Sequence, residues 1–353
     1  MIPVKSLHGT NANDATGREH GRLLRDGDAW RRELLRAVTD LAQLFRLVDV
    51  HPSEIRTATG QGAPCLDFPL RVPRPYVARM RRGDPDDPLL RQVLPTTRES
   101  EPGTGYELDP LDEAGAVIDT GILRKYHGRA LLIATGSCAV HCRYCFRRHF
   151  PYGDHRQDRS FRSIAALRRD PTIREVILSG GDPLMLTDAH LAHLLGEVAS
   201  IDHVVRIRIH TRLPVVIPQR VTPALIETLA SVPQRVVVVL HFNHPNEIDR
   251  DCASSLAGFR GFALLNQSVL LRGVNDDADT MAELSERLFG AGVLPYYLHM
   301  PDAVAGTAHF DVSQRRAIAL HHQLLARLPG YLVPRLVREV PGGAAKELVA
   351  ADG

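Results

Sequence analysis

From about Leu123 onward, short apolar and β-branched runs alternate with helical patterns, and this rhythm leaves few folds open. The runs cover 130–135, 175–179, 204–210, 235–241, 268–272 and 293–299. Helical patterns cover 160–169, 188–199, 223–230, 250–258, 279–291 and 313–328. Strands that alternate with helices form βαβ units, and βαβ units form a parallel sheet. Six strands are too few to close an eight-stranded barrel. The expected class is therefore α/β, with an open, curved, six-unit sheet: a partial (β/α)6 barrel. In such folds ligands gather at the carboxyl ends of the strands.

Those ends carry the chemistry of the chain. The first run leads into Cys138, Cys142 and Cys145, the second into Gly180-Gly181-Asp182, and the third into His210-Thr211-Arg212. The fourth ends at His241-Phe242-Asn243-His244, the fifth at Arg272-Gly273-Val274-Asn275-Asp276, and the sixth at His299-Met300-Pro301-Asp302. Together they predict a ring of polar groups at one mouth. Upstream, apolar residues from Trp30 to Val48 recur at three- and four-residue spacing, which predicts a helix. Prolines between 73 and 95 then allow only short helices, such as 76–82. Residues 1–20 read as a loose polar start. This divides the chain into a helical N-terminal region, 1–115, and a barrel domain, 116–353, that ends in a glycine turn carrying Lys346.

Composition narrows the class of function. A net charge of +2 with mixed charges is no footprint for nucleic acid. No apolar run approaches the ~18 residues of a membrane span, and the N-terminus lacks a secretory signal. Five cysteines, three of them within eight residues, fit a reducing cytoplasm and a bound metal group rather than a disulfide framework. Cys65 and Cys252 read as structural thiols. Three thiolates can hold three corners of an iron–sulfur cube and leave one iron open. The rival reading is zinc, with His141 or His149 as fourth ligand. Gly180-Gly181 permits close backbone approach to a ligand, and Asp182 offers an acceptor for an amine; a plain turn is the alternative. Lys346, after Pro341-Gly342-Gly343-Ala344-Ala345, suits either solvent or a Schiff base with pyridoxal phosphate. Lys125, Arg129 and Arg147 are candidate cations for a phosphate.

The chain resembles the lysine 2,3-aminomutase family of radical S-adenosylmethionine enzymes. The resemblance rests on Lys-Tyr-His-Gly-Arg-Ala-Leu-Leu-Ile (125–133), the Cys-x3-Cys-x2-Cys loop with Cys-Arg-Tyr-Cys-Phe-Arg-Arg (142–148), and Leu-Ser-Gly-Gly-Asp-Pro-Leu (178–184). It continues through His-Thr-Arg-Leu-Pro-Val-Val-Ile-Pro-Gln-Arg-Val-Thr (210–222), His-Phe-Asn-His-Pro-Asn-Glu (241–247), Asn-Gln-Ser-Val-Leu-Leu-Arg-Gly-Val-Asn-Asp (266–276) and Pro-Tyr-Tyr-Leu-His (295–299). It is most similar to the branch that supplies (R)-β-lysine for modification of translation elongation factor P by a separate ligase.

The resemblance implies a radical S-adenosylmethionine type partial barrel and an isomerase acting on L-lysine. It implies a [4Fe–4S] cluster on Cys138, Cys142 and Cys145, S-adenosylmethionine on its open iron, and pyridoxal 5′-phosphate on Lys346. Lys125, Arg129, Gln267 and Asn275 are then expected to hold the cofactor phosphate. Arg147 is expected to pair with the lysine carboxylate, and Asp302 and Glu339 with the ε-ammonium. Gly180, Gly181, Asp182, His210 and His241 are expected around S-adenosylmethionine. A flavodoxin- or ferredoxin-type reductant is implied as partner. Glu339 stands where clostridial-type relatives carry aspartate, Lys125 replaces an arginine, and Gly-Gly-Ala-Ala shortens the glycine run. Only seven residues follow Lys346, so a monomer or homodimer is expected. The alternatives are a free-lysine mutase serving another pathway and a non-catalytic iron–sulfur or zinc protein.

Overall fold

The computed structural model describes residues 28–55, 68–152 and 159–350. The loose start over 1–20 and Cys65 lie outside them. The described chain builds one ten-stranded sheet in which spatial order equals sequence order. Strands β1 (Val117–Asp119) and β2 (Ile122–Leu123) run antiparallel into β3 (Arg129–Thr135). Then β4 (Glu175–Gly180), β5 (Arg206–Thr211), β6 (Arg235–Leu240), β7 (Ala263–Val269), β8 (Leu294–His299) and β9 (Arg335–Arg338) add one after another, each parallel to the last. The short β10 (Glu347–Leu348) returns antiparallel on β9. The six expected strands are thus present inside a larger sheet with a seventh parallel strand.

This winding decides where the site can lie. Each strand joins the same growing edge, and right-handed crossovers then put every connecting helix on one face. Alternate residues of each strand point to opposite faces. One set, including Val176, Leu178, Ile207, Ile209, Val238, Leu298 and Leu336, is buried in the core. The other set lines a cavity: Arg129 and Leu131, Ile177 and Ser179, Arg208 and His210, Val239 and His241, Gln267 and Val269, Tyr297 and His299, then Val337 and Glu339.

Two boundaries differ from the sequence expectation. The fifth parallel-run strand is Ala263–Val269, not 268–272. Apolar Leu270 and Leu271 mimic a strand, whereas the real one carries polar Asn266, Gln267 and Ser268. Asn266 earns that place by bonding both the N–H and the C=O of Phe242 at the end of β6. The N-terminal helix is two helices, Ala29–Leu35 and Leu41–Val48. Between them Val38 exchanges backbone bonds with Val72, and Asp40 caps the second helix. Arg74–Val77 is the only helical turn near 76–82. These N-terminal elements share one hydrophobic core with the sheet, from Trp30 and Leu44 through to Leu336. Cys252 is buried, as expected of a structural thiol. Among the described residues no helix is long and apolar enough to cross a membrane.

Gly180 and Gly181 join β4 to the cysteine loop. Gly180 has φ +105°, a conformation that side chains rarely adopt. A Cβ on Gly181 would lie 2.4 Å from the Ser137 carbonyl oxygen, a backbone atom that cannot swing away. The two glycines therefore admit the loop backbone itself, with Gly181 N–H donating to Thr135 O and Asp182 N–H to Ser137 O. Gly181→Ala should cost about 1–3 kcal/mol and lower the iron bound per chain after reconstitution. Gly196→Ala, in the helix Asp188–Ala199 with nothing within 4 Å of the new methyl, should instead stabilise by about 0.4–1 kcal/mol. Chemical denaturation with iron analysis checks both.

Candidate active site

The cavity at the carboxyl ends of the strands measures about 630 Å³, within the range of small-molecule sites. Cys138, Cys142 and Cys145 form part of its wall, and Lys346 and Asp302 another part. The sequence-derived candidates Lys125, Arg129, Arg147, Gly180, Gly181, Asp182, His210, His241, Gln267 and Glu339 all line it as well.

Two candidates serve the fold. Asn275 does not reach the cavity wall. It is fully buried, its Oδ1 accepts from Leu271 N–H, and its Nδ2 donates to the carbonyls of Asn243 and Val269. Its amide is spent on closing the loop after β7, which corrects the expected phosphate role. Asp182 lines the cavity, but its carboxylate already accepts four bonds. They come from Leu184 N–H (3.0 Å), Thr211 Oγ (2.7 Å), Arg212 N–H (2.8 Å) and Leu213 N–H (2.9 Å). All four acceptor directions are filled, so it clamps the end of β4 to the end of β5 and holds no place for a ligand amine.

The charged side chains form a chain of alternating sign. Arg147 Nε and Nη2 donate to both oxygens of Glu113, at 2.7 and 2.8 Å, while Nη1 donates to Ser179 Oγ at 3.1 Å. Lys125 Nζ lies 3.4 Å from Glu113 and 3.2 Å from Glu339. Lys346 Nζ pairs with the other oxygen of Glu339. The order is therefore Arg147, Glu113, Lys125, Glu339, Lys346. Burial works to raise the Glu339 carboxyl, but Lys346 and Lys125 overcome it and hold the group at about 2. Burial is likewise outweighed at Glu113 by Arg147 and Lys125, which lower its carboxyl.

Glu113 was not legible in the sequence. It follows Asp112, a non-glycine residue at φ +47°, in a turn that Asp109 fixes by accepting from Glu113 and Ala114 N–H groups. Backbone held in a sparsely populated region is a mark of functional sites. Glu113 takes one edge of the Arg147 guanidinium and leaves N–H groups of Nη1 and Nη2 for a second acceptor.

Other groups on the wall have bonding capacity to spare. Arg129 lies over the Tyr126 ring at 5.2 Å and has no ion pair among the described residues. Gln267 has no side-chain hydrogen bond among them. The buried Nε2 atoms of His210 and His299 have no hydrogen-bond partner among the described residues. Burial first, then nearby cations, push both imidazoles far down, so they are neutral. An orphaned buried nitrogen of this kind fits a bound polar ligand. His241 is also neutral, pushed down to about 3 by burial and Arg212, but its Nε2 is bonded to Tyr144 Oη at 3.0 Å. The donor set fits an iron–sulfur cluster. Cys145 is raised to about 11 by burial and Cys142, a cost that coordination of the thiolates removes. The two histidines considered for zinc are engaged elsewhere: His141 on Pro69 O and the Phe68 ring, His149 on Ala305 O.

Asp302 has no side-chain hydrogen bond among the described residues, and burial, then Glu339, push its carboxyl up to about 7. A carboxyl raised on folding costs stability above its unfolded value near 3.9. That cost grows as pH rises towards 7 and is absent at low pH. Asp302→Asn should therefore raise the melting temperature of the ligand-free protein by several degrees at pH 8. The gain should vanish towards pH 4, as thermal melts across that range would show.

The sequence profile of the Radical SAM superfamily matches residues 132–254. The chain is 48% identical to the L-lysine 2,3-aminomutase of Escherichia coli (strain K12) over 90% of its length and 93% of that protein. It is 42% identical to the L-lysine 2,3-aminomutase of Haemophilus influenzae over 93% of its length and 97% of that protein. The enzyme of that name from Clostridium subterminale is 34% identical over 91% of this chain and 77% of its own. With a cysteine loop, an amine and a carboxylate-paired guanidinium around one cavity, and kinship of this extent, the chain belongs to the lysine 2,3-aminomutase family of the Radical SAM superfamily.

Proposed function

We propose that this chain converts L-lysine to (R)-β-lysine, and that the product feeds a ligase that modifies elongation factor P. The observation that carries the reading is the alternating charge chain around Lys346. It sets a guanidinium with free N–H groups at one end, and towards the other Glu339 beside Asp302, an arrangement complementary to lysine's carboxylate and ε-ammonium. A second carboxylate at the far end, as in glutamate, would meet Glu339 and Asp302. The branch assignment is supported by the length-matched likeness to the Escherichia coli enzyme. A low-potential flavodoxin or ferredoxin is proposed as the electron source.

In this reading Cys138, Cys142 and Cys145 hold a [4Fe–4S] cluster, with His210 and the backbone near Gly180 and Gly181 beside S-adenosylmethionine. Arg129, Gln267 and Lys125 hold the phosphate of pyridoxal phosphate, and Lys346 carries its carbonyl carbon. The bound cofactors supply a carbon radical that takes up and returns hydrogen, and a conjugated system across which an amino group can migrate. The protein's part is binding and alignment. Arg147, held in place by Glu113 and Ser179, presents its remaining N–H groups to the substrate carboxylate in a fixed plane. Glu339 and Asp302 receive the ε-ammonium, and that ammonium favours the ionised form of Asp302. Fixing both ends leaves the α- and β-carbons between them, and the apolar wall of Leu131, Ile177 and Val239 keeps water from a reactive intermediate.

Anaerobically reconstituted protein with S-adenosylmethionine, pyridoxal phosphate and dithionite should yield β-lysine from L-lysine, the R form by chiral chromatography, and nothing from L-glutamate. Turnover of glutamate, or none of lysine, would overturn the proposal. Arg147→Lys keeps the charge but loses the planar fork, and should raise the KM for lysine at least tenfold. In competition with free lysine, the β-lysine formed should be the preferred substrate of the elongation factor P ligase.

A further inference from the structure

Arg212 lies behind the cysteine loop, with 7% of its surface exposed. Asp182 fixes its backbone. Its Nη1 donates to Cys142 Sγ and, at 2.5 Å, to Tyr144 Oη. Its Nη2 donates to Glu247 Oε1 and Gln92 Oε1, both at 2.7 Å, and to Tyr76 Oη at 3.2 Å. The guanidinium carbon lies 5.5 Å from the centroid of the Tyr76 ring and 5.5 Å from that of the Tyr144 ring. Glu247 is wholly buried and accepts further from Tyr76 Oη (2.8 Å), Asn243 N–H (2.6 Å) and His244 N–H (3.1 Å). Among the described residues neither Cys138 nor Cys145 receives a side-chain hydrogen bond at sulfur.

The arrangement is a fixed dipole. Its positive end touches the sulfur through Nη1, and its negative end, the Glu247 carboxylate, is bound to the other terminal nitrogen. A cluster that takes up one electron gains one negative charge. A buried cation that donates to a ligand sulfur stabilises that charge, and in a dry setting no solvent reorganises to cancel the effect. Hydrogen bonds to ligand sulfurs are one of the protein's means of setting a cluster's potential.

Resting on the radical S-adenosylmethionine reading above, we propose that Arg212 is a positioning residue for electron uptake. Its guanidinium, oriented by Glu247 onto the sulfur of Cys142, raises the reduction potential of the [4Fe–4S] cluster, which is reduced by one electron from a one-electron donor.

The test is a mediated redox titration of the reconstituted full chain, with the reduced cluster counted by electron paramagnetic resonance. Iron and sulfide per chain are measured first. Wild-type protein that holds no cluster would overturn the family reading, not this inference. Arg212→Gln should lower the reduced-to-oxidised ratio at the wild-type midpoint at least tenfold, a 59 mV downward shift for one electron. Glu247→Gln removes the countercharge and should shift the midpoint upward. Arg212→Lys, which keeps the charge, should fall between Arg212→Gln and wild type. A merely structural Arg212 would leave the midpoint of cluster-bearing variants in place. An unchanged midpoint in Arg212→Gln, or shifts of the same sign in Arg212→Gln and Glu247→Gln, would overturn the proposal. If Arg212→Gln holds no cluster, an absent upward shift in Glu247→Gln overturns it alone.

Discussion

The constraint on which the structure depends is the parity of its strands. Because every parallel strand joins the same edge, the connecting helices cover one face of the sheet and leave the other to line the cavity. Seven strands then deliver their odd or even residues to one concave surface without any long-range search. Arg129, Ser179, His210, His241, Gln267, His299 and Glu339 reach the same cavity for this single reason. The helix-covered face is packed with valine, leucine and isoleucine and supplies the rigidity. The site is thus a by-product of topology, refined by the loops at its rim.

Charge balance is the second constraint. The cavity wall brings Arg147, Lys125 and Lys346 together with Glu113 and Glu339, out of bulk water. Unpaired, each would carry a desolvation cost of several kcal/mol. Alternation solves the problem, because every member of the chain touches only opposite charge. The outcome is a chain of three cations and two anions, with Arg147 at one end and Glu339 next to Lys346 at the other. Lys346 is thereby anchored by Glu339 although the glycine turn before it confers freedom.

Much of this was legible in the sequence, and the failures have physical causes. The strand-to-helix rhythm announces the parallel core because periodicity integrates over many residues. Strands β1, β2, β9 and β10 escape it, being two to four residues long, too short for any period. The strand Ala263–Val269 escapes the pattern because Asn266 and Ser268 are satisfied by a neighbouring strand end and Gln267 faces the cavity, which no local pattern reveals. Gly180 and Gly181 pointed to close backbone approach, and the fold adds the loop backbone at Thr135 and Ser137 as one partner that the sequence did not disclose. Asn275 and Asp182 looked like ligands because loop Asn and Asp residues serve backbone and substrate with the same chemistry. Glu113 gave no signal: in Asp-Pro-Leu-Asp-Glu it reads as a solvated turn, and only the fold sets it against Arg147. Arg212 did have one, as it follows a strand end directly.

The N-terminal region reaches further into the barrel than an appendage usually does. It lends Gln92 and Tyr76 to Arg212, and Glu99 to both Arg143 and Arg148 beside the cysteine loop. Arg143 and Arg148 therefore draw their carboxylate from outside the barrel, whereas Arg212 takes only neutral partners from there and keeps Glu247 within it. Peeling the region away would strand the charges of Arg143 and Arg148 in a low-dielectric interior, at a cost of about 3–5 kcal/mol for each broken pair. The loop and the N-terminal region are accordingly tied into one packed unit through Glu99. The barrel has no inexpensive way to loosen its cysteines while the rest stays folded, and such a unit shields a reactive centre from partial opening as well as from solvent.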